Sequence, residues 1–205
     1  MTELTIWGRI NSHNVKKVVW LTEEIGLPYV RHDVGLQFGM DDAYLAKNPN
    51  ALIPTIDDGD LTLWESNTIL RYLAAKHGGE RWWPADPAVR ALNERWMDWH
   101  FGYASAQHGA FWQNVRVPPD QRDPDAISRS VEATARRIAV LEAHLACNDY
   151  LSQGDFGIGD IPMGCYIHTW FALPIDRPAF PNVRRWYDRL LERPAYREYV
   201  AIPLT

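Results

Sequence analysis

The chain has 205 residues, 46% hydrophobic and 23% charged, an ordinary globular composition for one large domain or two small ones. This excludes a disordered, collagenous or low-complexity chain. A formal net charge of -5 argues against a protein that gains affinity by neutralising phosphates, so nucleic acid and anionic membranes are not expected partners.

The N-terminus has no basic segment followed by an apolar stretch, and no later run approaches the roughly 20 apolar residues of a membrane span. A cytoplasmic chain is expected. Cys147 and Cys165 fall outside any C-x-x-C pair and the histidines are scattered, so neither a disulfide framework nor a metal site is predicted.

In chain order, Leu4 to Trp7 reads as a strand, and apolar positions Val15, Val18, Val19 and Ile25 define an amphipathic helix that stops at Gly26 and Pro28. Tyr29 to Val34 returns to strand character, and the connection is long enough for a right-handed parallel crossover. After a loop rich in Gly, Asp and Asn, Ile53-Pro-Thr-Ile predicts a strand, Asp58-Gly59 a turn and Leu61 to Trp64 its antiparallel partner. Ser66 is the expected cap of a helix carrying Ile69, Leu70 and Leu73 and ending at Gly78-Gly79.

This β-α-β, loop, β-β-α order gives a layered α/β unit over residues 1–77, followed by a linker over 78–88 rich in Gly, Trp and Pro. Residues 89–205 contain no convincing strand. Helices are predicted from about Ala88 to Val115, from Ala126 to about Leu145, and near Ile161 to Leu173 and Val183 to Glu192, forming a helical bundle. Seven tryptophans, Trp82, Trp83, Trp96, Trp99, Trp112, Trp170 and Trp186, follow residue 78 and imply bulky aromatic packing there, with an aromatic ligand pocket as the other reading.

Three segments can carry chemistry. In Asn11-Ser12-His13-Asn14, at a strand-to-helix junction, Ser12 either caps the helix or donates its hydroxyl to an anion such as a thiolate beside the positive end of the helix dipole. Either effect on a thiol lowers its pKa. Pro54 is either an ordinary strand-entry proline or a cis proline that turns the main chain of Ile53 outward, towards an extended peptide. At Glu65-Ser66-Asn67, Ser66 either caps only or helps hold a carboxylate at the helix N-terminus while Glu65 accepts from an ammonium.

The combination Asn48-x-x-x-x-Ile53-Pro54 with Glu65-Ser66-x-x-Ile69-x-x-Tyr72-Leu73 closely resembles the glutathione-binding half of glutathione transferases. The resemblance continues through Phe156-Gly-Ile-Gly-Asp160-Ile, similar to the family's internal helix cap, and through Phe180-Pro-Asn-Val-x-x-Trp186 with Arg193-Pro194, similar to its C-terminal helix. It implies a thioredoxin-like N-terminal domain that binds glutathione as cosubstrate, and a helical domain that forms a hydrophobic substrate pocket. It further implies transfer of the glutathione thiolate to an electrophilic small molecule in a detoxification role, and a homodimer.

Carried onto this sequence, the resemblance makes Ser12 the sulfur-activating hydroxyl of the serine-type classes, at the theta and phi active-site position, with Asn11 and Asn14 assisting. Ile53, before a cis Pro54, pairs with the cysteinyl unit, and Glu65 and Ser66 hold the γ-glutamyl end. Ala51 and Leu52 depart from the family's usual Gly and frequent basic residue. Either no cationic partner meets the glycine carboxylate, or Gln37 or Lys47 substitutes for the absent basic residue. Gly157 stands where the internal cap usually has Ser or Thr, and Asp160 is expected to be structural. His100 and His108 are expected to be packed or solvated rather than general bases. Tyr103, His108, Phe111 and Trp112 occupy the region of the family's second-substrate pocket, with apolar packing alone as the other reading of the three aromatics. Two other readings stand beside this one: a non-catalytic module of the same fold that binds ligands or proteins, and a thiol-disulfide reductase, for which no cysteine lies near Ser12.

Overall fold

The computed structural model describes residues 3–205. Four short strands form one mixed sheet in the order β2-β1-β3-β4: β1 (Leu4–Trp7), β2 (Tyr29–His32), β3 (Thr55–Asp58) and β4 (Leu61–Trp64). β1 runs parallel to β2, with Leu4 opposite Tyr29, and antiparallel to β3, with Ile6 opposite Ile56. Alternation along β1 sends Leu4 and Ile6 into the core and leaves Thr5 and Trp7 half-buried, the period-2 pattern of a strand. The β3 to β4 turn places Gly59 at φ +63°, a left-handed conformation suited to glycine.

The N-terminal helices are α1 (His13–Glu24), α2 (Asp42–Lys47) and α3 (Ser66–Leu73). α1 and α3 pack together and bury Val15, Val18, Val19, Ile69, Leu70 and Leu73 with the inward residues of the sheet. Two sequence expectations are corrected here. Residues assigned to a loop contain a 3-10 turn (Leu36–Phe38) and α2, capped by Asp41 Oδ1, which accepts from the Tyr44 N–H at 2.8 Å. β3 begins at Thr55, so Ile53 and Pro54 precede the strand.

Residues 78–88 are not an irregular linker throughout. α3 runs on into a π-helical turn (Ala74–Gly78), then α4 (Gly79–Trp82), and Asp86 caps α5 (Pro87–Val115). The rest of the helical unit is α6 (Pro124–Leu145), α7 (Asp160–Ala172) and α8 (Pro181–Glu192), with a π-helical turn at Tyr196–Val200. Trp82, Trp96, Trp170 and Trp186 are buried, whereas Trp112 is half exposed.

The two units share one core. Trp20 of α1 packs against Tyr196 and Phe156, and α7 comes so close that a Cβ at Gly164 would lie 2.6 Å from the Trp20 ring. The Glu24 carboxylate receives Arg193 at 2.6 and 2.7 Å. Asp160 is fully buried and accepts from the N–H groups of Leu151, Ser152 and Gly157 and from Trp186 Nε1, at 2.7 to 3.1 Å. This is structural work at the head of α7. Gly157 is required by space, because its Cβ would meet Ser152 Oγ at 2.9 Å, and that hydroxyl instead accepts from Gly159 N.

Candidate active site

The site lies where β1 ends and α1 begins, facing α5 and α7. Ser12 is the N-cap of α1 in an extended conformation, and its carbonyl accepts from Lys16 N at 2.9 Å to close the first turn. Its hydroxyl makes no capping hydrogen bond. The capping alternative is therefore not realised, and the side chain is left available at the positive end of a helix of 12 residues.

Burial above all, with smaller electrostatic contributions from Lys16, Lys17, His168 and Arg9, holds the imidazole of His13, the first residue of α1, down to about 3. His13 is thus neutral at pH 7, with Nε2 2.6 Å from Thr169 Oγ1. A sulfur anion beside Ser12 would sit next to free helix N–H groups at the positive end of α1, an environment that lowers a thiol pKa.

Asn11 and Asn14 flank Ser12 in different ways. Asn11 Oδ1 accepts from Arg9 at 3.0 Å, and its amide donates to Thr205 Oγ1. Asn14 Oδ1 faces the Ser66 hydroxyl at 3.4 Å and so links the α1 and α3 termini. Ser66 proves to be the first residue inside α3, not its cap; that position belongs to Glu65, at φ +74°. A left-handed non-glycine residue is costly and is held only where the surrounding structure imposes it. Here it leaves the Glu65 side chain exposed beside the buried Ser66.

The Ile53-Pro54 bond is cis. The preceding loop is fastened from behind: the Leu52 carbonyl accepts from Tyr44 Oη at 2.5 Å and from Asn48 Nδ2 at 2.9 Å. Ala51 sits at φ +54°, the conformation that explains why a glycine suits this place. The two residues proposed for a glycine carboxylate differ in availability. Gln37 is exposed on the 3-10 turn, whereas Lys47 is paired with Asp57 at 2.8 Å and its ammonium lies 5.3 Å from the centre of the Trp7 ring.

A cavity of about 290 Å³ opens at His13, the residue after Ser12, and is lined further by Ala104, Ser105, Gln107, His108, Phe111 and Tyr166. His108 and Phe111 thus stand on its wall. Tyr103 does not: it is fully buried in the helical core with its hydroxyl 3.0 Å from Gln107. Trp112 lies outside, half exposed near His108. Sequence reasoning missed His13 and Tyr166, whose rings stack at 4.6 Å, with Phe111 edge-on to His13. His13 was legible as the residue after Ser12, but Tyr166 carries no local signal.

Behind Ser66, Lys17 is fully buried, donating to His100 Nε2 at 2.8 Å and lying 3.4 Å from Ser66 Oγ. Burial pulls its ammonium down to about 7, and the same burial together with Lys17 pulls His100 to about 3. Cys165 is buried on α7 with its thiol pushed up to about 12, the mark of an unreactive thiol, and exposed Cys147 follows α6. Among the described residues no cluster of three or more His, Cys, Asp or Glu could hold a metal ion, and no helix is long and apolar enough to cross a membrane.

Two family models match the chain: one described as the N-terminal domain of glutathione S-transferase over residues 2–75, the other as its C-terminal domain over 124–189. Glutathione S-transferase GstB of Escherichia coli strain K12 is 44% identical over 207 residues, covering 98% of this chain and 100% of that protein. Glutathione S-transferase 3 of Zea mays is 34% identical over 100% of this chain and 96% of its own. Among solved structures, a theta class glutathione S-transferase from the citrus canker pathogen Xanthomonas axonopodis pv. citri, with glutathione bound, superposes with a TM-score of 0.95 at 46% identity over 100% of both chains.

Proposed function

The chain belongs to the glutathione transferase family and is a transferase that uses glutathione, and from that premise we propose that Ser12 activates the sulfur. The observation that carries this reading is the uncommitted Ser12 hydroxyl at the N-terminus of α1. It donates to the thiolate while the free N–H groups of the helix favour the charged form. Asn11 and Asn14 orient the segment.

The remaining contacts follow from what each group offers. The main chain of Ile53 pairs with the cysteinyl unit, Glu65 accepts from the α-ammonium, and Ser66 with the α3 N-terminus holds the α-carboxylate. Gln37 serves the glycine carboxylate better than Lys47, which is already paired with Asp57. The thiolate then attacks an electrophilic carbon presented from the cavity between α1, α5 and α7, and orientation supplies the rest of the rate.

Titrating the ultraviolet absorbance of the bound thiolate against pH tests this reading. Ser12→Ala should raise the midpoint by at least about one unit, the equivalent of ~1.4 kcal/mol. Superimposed curves would remove Ser12 as the activator.

We further infer a cytoplasmic homodimer acting in detoxification. Phe101 on α5 and Val140 on α6 are both about half exposed (52% and 47%), which supports a pairing face across these helices. Light scattering should return twice the chain mass.

A further inference from the structure

The π-helical turn at Tyr196–Val200 packs on α1, and residues 201–205 continue from it outside any helix or strand. Such a segment frays unless side chains tie it down. Three do so here. Lys16 on α1 donates through Nζ to the Val200 carbonyl at 2.9 Å, His168 on α7 pairs through Nε2 with the Ile202 carbonyl at 3.0 Å, and Asn11 Nδ2 donates to Thr205 Oγ1. These contacts step back along α1 from Lys16 to the residue before Ser12.

Lys16 and His168 are both buried. Burial pulls the His168 imidazole below its ordinary value, so the ring is neutral at pH 7, with one nitrogen donating and the other accepting. The Ile202 carbonyl can only accept, which puts the proton on Nε2 and makes Nδ1 the acceptor of the Tyr187 hydroxyl at 2.9 Å. An apolar side chain here would pack against the segment without choosing its register, whereas a buried ring whose donor must meet one carbonyl chooses it. At the other end, both sides of the Asn11 amide are engaged: Oδ1 accepts from Arg9 at 3.0 Å while Nδ2 reaches Thr205, and the Ser12 N–H donates to the Arg9 carbonyl at 3.2 Å. Asn11 thereby joins residues 201–205 to the turn that carries Ser12. The cavity wall is built from α1, α5 and α7, so this segment is not a cover over the site and acts on it through that turn.

We propose that residues 201–205 brace the Arg9–Ser12 turn, and that His168 and Thr205 are positioning residues for the Ser12 hydroxyl. This rests on the reading of Ser12 as the sulfur activator. A hydroxyl with that task must stand within about 0.5 Å of its working position. The Ser12 side chain makes no capping hydrogen bond, so it does nothing to fix the turn itself. The turn is held from within by Arg9 and from outside by the segment that His168 and Lys16 set in register.

Titrating the thiolate of bound glutathione tests the brace. Thr205→Val and His168→Leu should each raise the midpoint by about half a unit, roughly a threefold fall in the ratio of thiolate to thiol. Thr205→Ser and His168→Gln, which keep the hydrogen-bonding groups, should restore it. Thr205 is exposed, so a folding defect in His168→Leu does not decide the matter. In a Ser12→Ala background the same substitutions should shift the midpoint no further, because residues that act through one group are not additive. S-methylglutathione, which has no thiol to ionise, should bind Thr205→Val and His168→Leu as tightly as the unmodified protein. Curves for Thr205→Val and His168→Leu that coincide with the unmodified one, an undiminished shift in the Ser12→Ala background, or weakened binding of S-methylglutathione would overturn the brace alone. An unshifted midpoint in Ser12→Ala itself would instead overturn the sulfur reading on which it rests.

Discussion

Lys17 Nζ donates to His100 Nε2 over 2.8 Å, in a space from which solvent is excluded and in which no carboxylate touches the ammonium. His100 serves as a neutral acceptor because its Nδ1 faces the Met97 carbonyl and carries the proton there. The remaining partners of the ammonium are the Ser66 hydroxyl and the Tyr166 ring, 5.3 Å from ammonium to ring centre. Around the pair stand Lys16, Glu65, Cys165 and Phe101.

This pair makes stability depend on pH in two windows. Lys17 titrates at about 7 in the folded protein against 10.5 ordinarily, so between those values the unfolded chain holds a proton that the folded one has released, and stability rises with pH. The cost of burying the charge is full below pH 7. Urea unfolding of Lys17→Met should therefore show a smaller gain from pH 7 to 9 than the unmodified chain; parallel curves would contradict it. His100 falls to about 3 from 6.5, so its contribution is lost as pH drops through that interval. His100→Gln, which keeps an acceptor for Lys17, should lose less stability between pH 6.5 and 4.

Ligand binding should move a proton by the same route. A γ-glutamyl carboxylate at Ser66 would favour charged Lys17, which is largely neutral at pH 8. Binding of S-methylglutathione, which has no thiol to ionise, should take up a fraction of a proton at that pH, read by calorimetry in buffers of different ionisation enthalpy. Lys17→Met should abolish the uptake. No uptake by the unmodified protein would place the carboxylate elsewhere.

Ala51→Gly should stabilise the protein by about 1 kcal/mol, because an exposed alanine at φ +54° pays the left-handed penalty without burying anything in return. Equilibrium urea unfolding at constant pH measures the gain, and a loss of stability would refute the strain assignment.

Asp160→Asn should cost about 3 kcal/mol. Four donors converge on the carboxylate, and an amide turns one of its acceptor positions into a fifth donor. Burial pushes this carboxyl up, but four donors with no acceptor among them require the ionised form. Thermal unfolding should show the loss, while the Ser12 thiolate titration of the folded variant should be unchanged.

The backbone order was legible in the sequence because its signals are local. Alternation in Leu4 to Trp7, helical spacing of Val15, Val18 and Val19, the Asp58-Gly59 turn and the Asn48 to Ser66 motif each act within a few residues, and the observed elements fall within a few positions of those expectations. The short α2 escaped because six residues give too little periodicity, although its cap, Asp41, was in plain view.

What only the tertiary structure decided is which side chains meet. Tyr103 and Phe111 lie on one helix with similar chemistry, yet one is sealed in the core and the other borders the cavity. Lys17 and His100 are 83 residues apart, and nothing local marks either as a buried partner of Ser66. The physical reason is that hydrogen bonding along the backbone repeats at short intervals, whereas burial and charge pairing depend on distant elements whose packing leaves no periodic trace in one chain.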